Sequence, residues 1–123
     1  MRERSILLVD DDRGTRELLA AILAYEGYRV CTAETAEEAW RILTHFTPDL
    51  FIVDLVLPEL RGDGLRALQL CNPRLQNAPF ILITGGSEGT SVARAIGAAA
   101  FLQKPIDADT IVARVHAVLM AAT

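Results

Sequence analysis

A chain of 123 residues, 51% of them hydrophobic, is long enough for one domain built round one core. Its formal net charge of −4 argues against a general nucleic-acid or membrane-surface binder, which needs a basic patch. No apolar run reaches the roughly 18 residues of a membrane span, and Met1-Arg2-Glu3-Arg4 leads into a strand-like run without a signal-peptide layout, so a cytoplasmic location is expected.

Short apolar runs then alternate with helical patterns. Ile6 to Val9 is an aliphatic run that ends in acid. Leu18, Leu19, Ile22 and Leu23 repeat at helical spacing, and Gly27 stands where a helix commonly stops. Tyr28 to Ala33 reads as a second strand. Thr35, with Glu38 three residues on, predicts a capping box ahead of the stripe Ala36, Ala39, Trp40 and Leu43. Pro48 breaks that helix, and Leu50 to Leu55 is a third strand. A loop holding Pro58 and Gly62 leads to a helix around Leu65 to Leu70. Phe80 to Thr84 is a fourth strand, followed by a glycine-rich turn and a short helix ending near Gly97. Ala100 to Gln103 is a fifth strand, and Asp107 caps a last helix with Ile111, Val112, Val115, Val118 and Leu119 on one face. The order is (βα)5, one α/β domain over 1–123 with no separate output domain expected. Strands that are apolar throughout suit a parallel sheet covered on both faces.

What ends each strand is the informative feature. The first ends in Asp10-Asp11-Asp12, the third at Asp54, the fourth at Thr84 and the fifth at Lys104. Open parallel sheets bind ligands at the carboxyl ends of their strands, where the strand order reverses. In a 2-1-3-4-5 order, which is borrowed from known sheets of this kind, strands one and three are neighbours there, and Asp10 and Asp11 would lie beside Asp54. Carboxylates so gathered repel one another, and a hard divalent cation relieves the repulsion; Mg²⁺ suits one or two carboxylates, waters and phosphate oxygens. A carboxylate can attack a phosphoryl group to give an aspartyl phosphate. An ammonium and a hydroxyl nearby, here Lys104 and Thr84, can offset charge on the transferred oxygens.

Over essentially its whole length the chain resembles a response-regulator receiver domain of two-component signalling. The resemblance rests on Val9-Asp10-Asp11, Asp54-Leu55-Val56-Leu57-Pro58, Thr84, Phe101 and Lys104-Pro105, with 30 residues from Asp54 to Thr84 and 20 more to Lys104. It implies a flavodoxin-like doubly wound sandwich, a five-stranded parallel sheet in the order 2-1-3-4-5. It implies Mg²⁺ held by Asp10, Asp11, Asp54 and the Val56 carbonyl, with Asp54 as phosphoacceptor. Thr84 and Phe101 would be the switch pair, Lys104 the partner of the phosphoryl group, and the Lys104–Pro105 bond cis. The implied partners are a histidine kinase or histidine phosphotransfer protein upstream and a protein target downstream, met through the surface made by the fourth helix, fifth strand and last helix. The chain departs from the family pattern at Arg61, where an aspartate is usual, and at Gly85, where alanine is common.

Other features read as structural. Asp12 caps the first helix or faces solvent. Gly62-Asp63-Gly64-Leu65-Arg66-Ala67 fits a dinucleotide fingerprint, but it follows a long loop and has no acid about 20 residues on, so it reads as a loop entering a helix. Cys31 and Cys71 are expected to be reduced packing residues, Trp40 a packing residue, and His45 and His116 surface residues. An aspartyl-nucleophile phosphatase or phosphotransferase of the haloacid-dehalogenase type needs a second aspartate two residues after the nucleophile, where this chain has Val56. A flavin or nucleotide binder would need a Ser/Thr/Gly-rich loop after the first strand. A pseudo-receiver docking module is the remaining alternative.

Overall fold

The computed structural model describes residues 3–122. Five strands, β1 (Ser5–Val9), β2 (Arg29–Ala33), β3 (Leu50–Asp54), β4 (Phe80–Thr84) and β5 (Ala100–Gln103), alternate with five helices. These are α1 (Arg13–Tyr25), α2 (Ala36–Ile42), α3 (Gly62–Leu70), α4 (Gly89–Ala95) and α5 (Ala108–Ala121). The strands form one sheet in the order β2-β1-β3-β4-β5, and every pairing is parallel. The expected α/β doubly wound architecture and strand order are both found.

Strand side chains point alternately to opposite faces. Leu7, Val9, Phe51, Val53, Phe80 and Leu82 therefore meet α2, α3 and α4 on one side, through Ala39, Leu65 and Ala93 among others. Ile6, Leu8, Ile52, Ile81 and Ile83 meet α1 and α5 on the other, through Leu19, Leu23, Ile111 and Val115. Two cores on two faces explain why the central strands are apolar at every position rather than at alternate ones.

Local signals set the helix ends. Asp12 accepts from the Thr15 backbone N–H, Thr35 from that of Glu38, and Asp107 from that of Thr110. The capping box at α2 is displaced by one residue, since Glu38 Oε1 takes the N–H of Glu34 rather than that of Thr35. Gly27 (φ 98°) and Gly97 (φ 68°) follow α1 and α4 in the left-handed conformation that glycine adopts without steric cost.

The structure corrects the sequence reading in two places. α3 begins at Gly62, a turn earlier than expected. A Cβ on Gly62 would lie 2.4 Å from the Asp54 carbonyl oxygen, so the helix can press on the end of β3 only through a bare backbone, and the residues read as loop are its first turn. Cys31 is half-buried against the α2–α4 core as expected, but Cys71, just past the end of α3, is exposed and belongs to neither core.

The polar content of that core was not anticipated. Arg66 of α3 is buried and donates to the carbonyls of Ile96 and Gly97 at 3.0 and 3.1 Å, and to Gln69 Oε1 at 2.8 Å, with its guanidinium over the Phe80 ring. Gln69 in turn donates to the carbonyls of Leu75 and Ala78. Burial lowers the pKa of the Arg66 guanidinium, yet arginine keeps its charge in proteins. A cation at the carbonyl end of a helix is favourable, so this side chain ties the end of α4 to α3. Removing one partner of a buried hydrogen bond costs about 1–3 kcal/mol. Arg66→Ala is therefore expected to lower the urea-unfolding free energy by at least about that amount; an unchanged unfolding midpoint would show that the network carries no stability.

Candidate functional site

Strand register brings the polar strand ends to one level. Val9 pairs with Val53, so Asp10, one step further, stands beside Asp54. Asp54 pairs with Ile83 and Thr84 with Gln103, so Thr84 and Lys104 extend the row. The backbone stays tied just past the strands: Asp10 N–H donates to Ala33, Leu55 N–H to Ile83 and Lys104 N–H to Thr84. Gly62 N–H also donates to the Leu55 carbonyl, which fixes the start of α3 under Asp54.

All three predicted acids converge. Carboxylate oxygens of Asp10, Asp11 and Asp54 lie within 4.8 Å of one another. Asp10 and Asp54 are buried, while Asp11 is exposed at the rim. The Lys104 ammonium stands between the two buried acids, 2.7 Å from Asp54 Oδ2 and 2.9 Å from Asp10 Oδ2. The first contact is a hydrogen bond. The second is close enough for Coulomb attraction but misaligned, and Asp10 Oδ2 is left buried without a hydrogen-bond donor. The Lys104–Pro105 peptide bond is cis, as expected.

Each remaining oxygen is held locally. Asp10 Oδ1 accepts from Asp12 N–H at 2.9 Å, and Asp54 Oδ1 from Val56 N–H at 3.1 Å. Val56 itself is exposed, at the mouth of the site. Thr84 is buried, with Oγ1 accepting from Gly86 N–H at 3.2 Å. Phe101 is half-buried, its ring edge against Gly89 at the start of α4. Asp12 stays apart from the cluster as the cap of α1. His45 and His116 are exposed.

Burial pushes the Asp10 carboxyl above its ordinary range; the nearby Lys104 ammonium and the bond from Asp12 N–H oppose this, and the Asp54 charge adds to it. Burial alone would depress the Lys104 ammonium, but its two carboxylate partners outweigh that and raise it. Three carboxylates against one ammonium leave two formal negative charges unmatched. The oxygen-only donor set, the surplus charge and the orphaned Asp10 Oδ2 all suit a hard divalent cation.

The supporting roles of three residues escaped the sequence reading, although Arg61 stood out there as a departure from the family pattern. Arg16 on α1 donates to the Asp10 carbonyl at 2.8 Å and so braces the acidic loop. Arg61 bridges Asp63 and Glu88, linking the β3–α3 and β4–α4 loops across one side of the site. Between Pro58 and Leu60 the chain makes a tight turn at Glu59 (φ 66°), closed by Leu60 N–H to the Pro58 carbonyl. An arginine at helical spacing after an acidic loop, as Arg16 is, was a legible signal; the others depend on tertiary contacts.

The family model for the response regulator receiver domain matches residues 6–116. The cell cycle transcriptional regulator CtrA of Caulobacter vibrioides is 32% identical over 117 residues, covering 93% of this chain and 49% of that protein. The receiver domain of a signal transduction histidine kinase from Syntrophus aciditrophicus is 32% identical at a TM-score of 0.85, over 96% of this chain and 91% of that one. A chemotaxis response regulator of Vibrio cholerae, 24% identical over 95% of this chain and 99% of its own, shares the fold at a TM-score of 0.88. The chain spans about half the length of the curated relatives it matches. It belongs to the response-regulator receiver family, whose members are phosphorylation-dependent signalling domains.

The raised Asp10 carboxyl fixes the sign of one pH effect. In the unfolded chain this proton leaves near pH 3.8, whereas the folded protein holds it to higher pH. Its contribution to stability therefore falls as pH rises from 3.8 through the folded value and stays low above it. Without divalent metal, Asp10→Asn should melt higher than wild type at pH 7, with the gap closing as pH falls toward 3.8. A variant that melts lower at pH 7 in EDTA would show that the Lys104 contact outweighs the burial of the charge.

Proposed function

We propose that Asp54 is the phosphoacceptor of this receiver domain and that Asp10, Asp11, Asp54 and the Val56 carbonyl hold Mg²⁺. The observation that carries this reading is the Lys104 ammonium lying 2.7 Å from Asp54, inside a three-carboxylate cluster that still has a charge surplus. Mg²⁺, when bound, offsets that surplus and the charge on the phosphoryl oxygens.

The donor is a phosphohistidine on a histidine kinase or a histidine phosphotransfer protein. An Asp54 carboxylate oxygen forms the new O–P bond as the N–P bond of the donor breaks, its electron pair returning to the imidazole. Lys104, already beside Asp54 Oδ2, turns from the carboxylate to a phosphoryl oxygen. Thr84 stands at the end of the adjacent strand, where its hydroxyl can donate to another phosphoryl oxygen. Thr84 and Phe101 together form the switch, and a downstream protein reads the change on the face made by α4, β5 and α5. The module turns over no substrate but its own aspartyl phosphate. Val56 supports this, because the position two residues after Asp54 carries no acid that could serve as a general acid or base. Among the described residues no helix is long and apolar enough to cross a membrane, and a cytoplasmic location is part of this proposal.

Incubation with acetyl phosphate and Mg²⁺ is expected to add one phosphoryl group, read by intact mass and removed by hydroxylamine. Asp54→Asn should abolish the addition; uptake at the wild-type rate would sink the assignment. Millimolar Mg²⁺ should raise the melting temperature of wild type by linkage, since only the folded chain assembles the cluster. Asp11→Ala should lose most of that rise, and an equal rise in this variant would place the metal elsewhere.

A further inference from the structure

Gly89 is a glycine with no conformational reason to be one. It lies in the first turn of α4, is buried, and has no positive φ. At the first position of a helix, glycine offers no gain in helix propensity over alanine. Space is the remaining reason. A Cβ at this position would sit 2.2 Å from Cε1 and 2.3 Å from Cζ of Phe101, and 2.9 Å from Cγ2 of Thr84. The gap is thus walled by the two residues of the proposed switch. The loop glycines nearby differ: a Cβ on Gly85 or Gly86 would make only ordinary contacts, at 3.8 Å from Lys104 Cβ and 3.7 Å from Thr84 Oγ1.

We infer that Gly89 is the positioning residue of the switch, a socket that seats the Phe101 ring against Thr84 before any phosphoryl group is present. The inference rests on the proposed roles of Thr84 and Phe101 and adds a third member that sets their resting state. α4 as a whole is held against backing away from an added methyl group mainly at its C-terminal end, and only weakly at its start. Its far end is tied to α3 through Arg66, and Glu88, just before Gly89, is paired with Arg61 at 2.8 Å. The ring, at the end of a rotatable side chain, is the part that yields. A side chain at 89 therefore expels the ring and keeps it out, whether or not Thr84 moves toward a phosphoryl oxygen. With glycine at 89 the ring is already in, so phosphorylation changes the position of Thr84 and α4 more than that of the ring.

The test is NMR on the whole chain, with Gly89→Ala, Gly86→Ala, Phe101→Leu and the Gly89→Ala/Phe101→Leu pair. Without a phosphodonor, wild type and Gly86→Ala should show nuclear Overhauser contacts from the Phe101 ring to the Thr84 methyl and to Gly89. Gly89→Ala should lose the ring–Thr84 contact and move the Thr84 methyl resonance. Leucine lacks the two ring atoms that clash most closely, so in the Phe101→Leu background Gly89→Ala should move the Thr84 methyl resonance only by the smaller shift that its own 2.9 Å approach to the added methyl group requires. Beryllofluoride with Mg²⁺ should spread shifts through α4 and β5 in wild type and confine them to the strand ends in Gly89→Ala. Acetyl phosphate should still label Gly89→Ala within about twofold of wild type. A ring–Thr84 contact that survives in Gly89→Ala, or is lost equally in Gly86→Ala, overturns the socket. The contacts are read without phosphodonor, so this result stands apart from whether Asp54 takes the phosphoryl group.

Discussion

The contact between the Lys104 ammonium and the two buried carboxylates of Asp10 and Asp54 is the interaction on which the site depends. Unpaired charges in a protein interior are expensive, and the sheet places two acids side by side at its centre. One ammonium cannot match three acids, and the mismatch is visible as a buried oxygen with no donor and an Asp10 carboxyl pushed upward. The site is thus kept short of electrostatic satisfaction by the fold. Two fully covered hydrophobic faces hold the strands in register regardless of what their ends prefer. That arrangement leaves a place for further positive charge.

The parallel sheet explains why one end carries all the chemistry. Parallel strands put every carboxyl end on the same edge, and the order β2-β1-β3-β4-β5 puts β1 and β3 together at the centre. Asp10, Asp54, Thr84 and Lys104 are far apart in the chain and within a few side chains of one another in the fold. Bare backbone then sets the closest approaches. Gly62 lets α3 rest on the carbonyl of Asp54, and Gly89 lets α4 rest on Phe101 and Thr84. A methyl group at either position would move a helix or a ring that the site requires in place.

Much of this was legible in the sequence because it is local. Strands buried on both faces read as unbroken apolar runs, and the acids, threonine and lysine that end them stand out against those runs. Caps at Asp12, Thr35 and Asp107 are short-range signals and were readable for the same reason. What was missed is tertiary. Gly62 and Gly64 looked like a loop because glycine is a poor helix former, and only the approach to Asp54 shows why helix wins there. Arg66 and Gln69 occupy positions that a hydrophobic pattern assigns to solvent, yet they are buried because carbonyls left over at the end of α4 and in the loop after α3 need donors. Cys71 looked like packing from its apolar neighbours, but Leu68 and Leu70 are themselves exposed beside it, and the side chain that turns inward there is that of Gln69.

The two ends of α4 are held by forces of different size. At its C-terminal end, Arg66 makes buried hydrogen bonds to two carbonyls, and bonds to charged groups are worth roughly 1.5–3 kcal/mol each. At its N-terminal end, the Arg61–Glu88 pair is about half exposed, where solvent screening leaves such pairs about 0–1 kcal/mol. Between that end and β4 lie Gly85, Gly86 and Ser87, with little side chain to resist a change of path. A phosphoryl group acts on this system only through its differential contacts with two arrangements. One charge-assisted hydrogen bond from Thr84 is of the order of 1.5–3 kcal/mol. Under the role proposed for Thr84, that bond exceeds what restrains the start of α4 and does not exceed what pins its end, so the change reaches the first turn of the helix and not its far end.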